Sequence, residues 1–125
     1  MRLLLDTRLV LWAMQDSAQL SAAARREMRA ADAVYVSAAS LWEISIKSSL
    51  GKLSIDIDDL EDKLEEAGFL PLPIVARHAA QLHKLPMHHR DPFDRMLVAQ
   101  AIVEPLRLLT RDAALSAYSD LVVQV

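Results

Sequence analysis

Short apolar runs and longer amphipathic stretches take turns along the chain. RLLL (2–5), AVYVS (33–37), LRLLT (106–110) and LVVQV (121–125) are brief and almost wholly apolar, the signature of strands buried on both faces. Between them lie segments of helical spacing. TRLVLWAM follows the first run, and AAARREMRAA follows a capping Ser21. SLWEISIKSSLG (40–51) predicts a helix ending near Gly51, and DDLEDKLEEAG (58–68) a charged amphipathic helix ending near Gly68. FLPLPI (69–74) is apolar, but its prolines demote it to an edge strand or an irregular segment. ARHAAQLHKL (76–85) predicts a helix stopped by Pro86, DPFDRMLVAQAIV (91–103) a helix ended by Pro105, and DAALSAY (112–118) a short helix. Strands alternating with helices predict an α/β domain, with a central parallel sheet and helices on both faces.

Composition narrows the chemistry. The 125 residues suit one domain, read here as 1–125, and 53% hydrophobic residues can supply its core. Cysteine is absent, so disulfides, thiolate metal sites and cysteine nucleophiles are excluded. Two glycines, Gly51 and Gly68, cannot build a phosphate-cradling loop. The opening segment is broken by Asp6 and Arg8, which predicts neither a signal peptide nor a membrane span, and hence a cytoplasmic protein. A net charge of −3 means that any dealings with nucleic acid cannot rest on bulk attraction to phosphate.

Ligands of parallel α/β folds bind beyond the carboxyl ends of the strands. Asp6 directly follows the first strand, Glu43 lies in the first turn of the helix after the second, and Asp112 lies just past Leu109–Thr110. Asp94 opens a helix that can join the same rim. Taken singly, each acid can be a helix cap: Asp91–Pro92–Phe93–Asp94 is close to a capping box, and Ser40 to Glu43 spells one. Capping does not account for several such helix starts on one rim. Two carboxylates 4 Å apart repel by roughly 4 kcal/mol at an effective dielectric of 20. A cluster of them either raises its own pKa values or takes a hard dication with oxygen ligands, Mg²⁺ or Mn²⁺.

Four stretches carry a resemblance: LLLDTRLVLW, VYVSAASLWEISIKSSLGKL, LPMHHRDPFDRMLVAQA and LLTRDAAL, in that order over nearly the whole chain. In these the chain resembles the PIN-domain ribonucleases, in particular the VapC toxins of bacterial toxin–antitoxin pairs. The resemblance implies a three-layer PIN-like fold and Mg²⁺-dependent (alternatively Mn²⁺-dependent) cleavage of RNA. It places the four catalytic and metal-binding acids on Asp6, Glu43, Asp94 and Asp112. Asp6 and Asp94 are the first choice for direct ligands. Asp91 matches a peripheral acid of the motif, and Thr110 the small hydroxyl residue before the last acid. The resemblance also implies a small antitoxin as partner, and a homodimer. One departure is Arg8, after Asp6–Thr7, where close relatives commonly carry histidine.

Other side chains divide between site and scaffold. Arg8, Arg90, Arg95 and Arg111 each neighbour a site acid, as phosphate contacts or as solvated charges. Lys47 follows Glu43 by four residues, the spacing of an intrahelical pair, and can also reach the site. The four histidines lack metal-ligand spacing and are expected on the surface or in loops. Trp12, Trp42, Leu41, Ile44, Phe93, Met96 and Leu97 are expected in the core. Two other functions are open to such a chain. A haloacid-dehalogenase-like phosphatase would need a second acid at position 8, where Arg8 stands. A non-catalytic binding module would use the acids as caps alone.

Overall fold

The computed structural model describes residues 1–125. Five parallel strands form one sheet: β1 (Arg2–Leu5), β2 (Ala33–Ser37), β3 (Leu70–Leu72), β4 (Arg107–Thr110) and β5 (Val122–Gln124). Their order across the sheet is β3-β2-β1-β4-β5. The chain steps outward from the central β1 to β2 and β3, then returns to lay β4 on the other side of β1. The topological switch point therefore lies between β1 and β4, where folds of this kind open a crevice at the strand ends.

Six helices cover the sheet: α1 (Thr7–Met14), α2 (Ala22–Ala30), α3 (Ala38–Ser49), α4 (Ile57–Glu66), α5 (Ala76–Leu82) and α6 (Pro92–Val103). A 3-10 helix spans Ala113–Ala117. Successive strand residues point to opposite faces, and the core divides accordingly. Leu4 and Leu108 pack with Leu97, Val98 and Ala101 of α6. Leu3, Leu5 and Leu109 pack with Leu9 and Val10 of α1, Ala24 of α2, Ile44 of α3 and Leu60 and Leu64 of α4. This is the expected three-layer fold. β3 is an edge strand, and Pro71 is tolerated there beside Val36.

Two details differ from expectation. The side chain of Ser37, not Ser40, caps α3, accepting from the Ala39 N–H at 2.9 Å. The helix thus starts earlier than read, and Glu43 falls in its second turn, so no Ser40–Glu43 capping box forms. Trp42 is 59% exposed rather than in the core, its ring set edge-on to Phe93 at 4.9 Å.

Candidate functional site

The strand ends at the switch point deliver the first two acids. Asp6 leaves β1, its N–H bonded to the Leu109 carbonyl of β4 at 3.1 Å, and caps α1 by accepting from the Leu9 N–H at 2.8 Å. Its other oxygen accepts from the Thr110 hydroxyl at 2.6 Å. The same hydroxyl accepts from the Asp112 N–H at 3.0 Å, tying the end of β4 to the turn that carries Asp112. Asp112 caps the 3-10 helix through its Oδ1, which accepts from the Ala114 N–H at 2.9 Å. Asp91 caps α6 through the Phe93 and Asp94 N–H groups. Capping and site membership therefore coexist in these three residues.

Glu43 and Asp94 cap nothing. Glu43 projects from α3, held by Lys47 Nζ at 2.8 Å. Asp94 sits in the first turn of α6 and its carboxylate accepts no hydrogen bond. The nearest basic group is His89, with Nε2 3.7 Å away. The capping-box role considered for Asp94 is thus not taken up.

These side chains line one cleft of about 430 Å³: Asp6, Thr7, Arg8, Glu43, Lys47, Asp91, Asp94, Arg111 and Asp112. Burial pushes the Asp94 carboxyl up to about 7, and the charges of Asp91, Asp6 and Glu43 push the same way against the opposing pull of His89. Asp6 is also raised, by burial above all, although Thr110 and the backbone N–H groups favour its ionised form. The cleft thus holds more negative charge than its own cations neutralise. That is the condition under which carboxylates take up a dication.

Two hydrogen bonds set the helices that carry the acids. The Thr7 hydroxyl donates to Ser40 Oγ at 2.9 Å, joining the start of α1 to α3 one turn before Glu43. The Ser37 hydroxyl donates to Gln100 Oε1 at 2.5 Å, joining the start of α3 to α6, the helix of Asp94. Both are buried.

Two expectations about basic residues are corrected, those for His78 and Arg95. His89 lies in a loop, as expected, and is bonded into the site: its Nε2 lies 2.8 Å from Asp112 Oδ2 and its Nδ1 accepts from the Asp91 N–H. His89, Asp94 and Asp112 offer polar atoms all within 4.8 Å of one another. With Nδ1 occupied as an acceptor, the ring proton belongs on Nε2, so His89 donates to Asp112 and holds it rather than ligating an ion. His78, expected on the surface, is 1% exposed and bonded to Glu104 at 2.5 Å. Arg95 turns away from the cleft. It donates to the carbonyls of Pro86, Leu82 and Leu85 and to the Tyr118 hydroxyl, fastening the segment before α6.

The chain belongs to the PIN domain family, whose profile it matches over residues 3–121. PIN domains are generally nucleases. Solved structures share the fold along nearly the entire chain. One is the complex VapBC2 from Rickettsia felis bound to a promoter DNA fragment, with a TM-score of 0.71 and 14% identity over 100% of this chain and 98% of that one. A toxin–antitoxin complex from Klebsiella pneumoniae matches with a TM-score of 0.67 and 17% identity, over 97% and 95% of the two chains. FitAcB from Neisseria gonorrhoeae matches with a TM-score of 0.67 and 20% identity, over 98% and 96%. A comparison with curated proteins gave no match. No helix is long and apolar enough to cross a membrane.

Proposed function

We propose that this protein is a Mg²⁺-dependent endoribonuclease and the toxin of a toxin–antitoxin pair. The observation that carries the reading is Asp94: a half-buried carboxylate with no hydrogen bond, facing other acids in an open cleft. Asp6 and Asp94 would hold the ion, with Glu43 and Asp112 completing the set directly or through water. Mn²⁺ fits the same oxygen ligands. The chemistry a bound dication supplies is activation of water and neutralisation of charge on a phosphoryl oxygen. The chain's own residues aim the acids. Thr110 fixes the rotation of the Asp6 carboxylate, His89 fixes Asp112, and Lys47 offsets Glu43. Apolar packing of α1 and α6 against the sheet keeps that geometry rigid.

The caps made by Asp6, Asp91 and Asp112 favour a second reading, a binding module without catalysis. It leaves Asp94, which has no hydrogen bond, without a purpose. One assay separates the two. The protein, purified free of any partner, is incubated with RNA in Mg²⁺ or in EDTA. Cleavage is expected in Mg²⁺ alone, and is expected to be lost in Asp6→Asn and Asp94→Asn. Equal cutting by either variant contradicts the assignment, and no cutting by the parent favours the binding module.

A protein partner is part of the proposal. The structural neighbours are toxin–antitoxin complexes. On this chain Trp42 and Ile46 of α3 and Leu50 at its C-cap form an exposed apolar stripe, four residues apart. The same helix presents Glu43 and Lys47 to the cleft, so an antitoxin seated on the stripe would sit at the cleft's edge. Co-expression with the adjacent small open reading frame, followed by pull-down with wild-type and Trp42→Asp protein, tests this. Homodimerisation is proposed as well, and light scattering on the isolated protein tests it.

A further inference from the structure

The acid cleft contains three cations, and they are used differently. Lys47 is committed to Glu43 at 2.8 Å. Arg8 and Arg111 line the same cleft, yet neither guanidinium makes an ion pair or a hydrogen bond, although five carboxylates share the cavity with them. Both instead lie over the ring of Trp12, with guanidinium carbons 6.0 and 5.9 Å from its centroid. Cation–π attraction accounts for the placement. Its consequence is that two planar forks are held in the cleft with their donors unspent. A guanidinium restrained on an aromatic face loses less entropy on binding, and its fork matches the oxygens of a phosphodiester. The need for such a device follows from the charge. A chain of net charge −3, with five acids in its cleft, repels a polyanion unless cations act locally.

We propose that Arg8, Trp12 and Arg111 form a phosphate-binding subsite beside the acid cluster, which grips the single-stranded RNA backbone next to the bond being cut. This rests on the ribonuclease reading, and it names binding residues that the four acids do not include. Arg8 thereby acquires a role: it is half of a clamp that a histidine at that position could not complete as a permanent charge.

The test compares the parent with an Arg8→Gln/Arg111→Gln double variant, using a short single-stranded oligoribonucleotide. In Mg²⁺, KM should rise about tenfold or more while kcat stays within about twofold, the loss of uniform binding. The salt dependence of log(kcat/KM) should become shallower by about 0.7 for each phosphate no longer neutralised. In EDTA, with Trp42→Phe leaving Trp12 as the single tryptophan, adding the oligonucleotide should change the fluorescence of the parent and not of the double variant. An Arg8→Lys/Arg111→Lys variant should fall between the two, because it keeps the charge and loses the fork. A double variant that cuts RNA with unaltered KM and salt slope overturns the subsite and leaves the nuclease reading standing. A parent that neither binds nor cuts RNA overturns both.

Discussion

Two histidines of this protein make the same local contacts and live in different electrostatic worlds. In each, Nδ1 accepts a backbone N–H, from Val75 for His78 and from Asp91 for His89. In each, Nε2 meets a carboxylate, Glu104 at 2.5 Å and Asp112 at 2.8 Å. His78, on α5, is sealed against α6 with one carboxylate for one imidazole, and Gln100 close by. His89 stands before Asp112 and Asp94, with Asp91, Asp6 and Glu43 in the same cleft. The first arrangement is complete in itself. The second leaves charge over, and that surplus, not the presence of an acid–histidine pair, distinguishes a place built to receive a cation from a piece of scaffold.

Asp94→Asn should lower RNA cleavage by about a hundredfold or more, since even an outer-sphere partner of a metal typically contributes 10–100-fold. The metal-free Asp94→Asn protein should melt no lower than the parent at pH 8, because the substitution removes repulsion. Glu104→Gln should do the reverse, with cleavage per folded molecule unchanged. Loss of stability in Asp94→Asn matched to its loss of activity would mean that the acid is structural.

Next comes His78→Ala, which strands the Glu104 carboxylate and the Val75 N–H. It should cost about 1–3 kcal/mol in denaturant unfolding, the range for buried polar groups left without partners. That cost should be the same in Mg²⁺ and in EDTA. A cost that Mg²⁺ erased would tie the sealed pair to the ion.

A smaller effect sharpens the contrast by pH. The Asp94 carboxyl titrates at about 7 in the folded chain against an ordinary 3.8, so the native state keeps a proton that the unfolded state releases. Stability from this group is greatest at low pH, falls as pH rises from about 4 to about 7, and is level above that. Asp6 adds in the same direction. Thermal melts in EDTA should show this decline, and Asp94→Asn should remove most of it. A rise in stability over that window, once other groups are subtracted using the Asp94→Asn variant, contradicts the assignment.

The scaffold was readable in the sequence because its signals are local. RLLL and LRLLT are short apolar runs that alternate with helical segments, the pattern of buried strands, and Asp6, Asp91 and Asp112 announce helix starts by type and position. The gathering of acids followed from topology, since strands in one parallel sheet end on one rim. What escaped was set by side-chain direction in irregular chain. His89 lies in a loop without periodicity, and its swing toward Asp112 depends on the Asp91 N–H capturing Nδ1. Arg95, which follows Asp94, was open to reading as a phosphate contact or as a solvated charge and is neither, because on a helix the neighbouring residue points elsewhere, here to the carbonyls of residues 82–86. Ser37 and Ser40 both precede helical sequence; the helix starts at Ala38, so Ser37 caps it and Ser40 lies inside it, bonded to Thr7.

Calorimetric titration of Mn²⁺ into the EDTA-stripped, dialysed protein near pH 7 measures ion uptake by the acid cleft without any RNA. Saturable binding is predicted, with proton release seen as a dependence of the heat on buffer ionisation, because the ion displaces the proton on Asp94. Binding should vanish in Asp94→Asn and survive in Glu104→Gln. A parent that takes up no ion, or an Asp94→Asn variant that binds it equally well, would contradict the account.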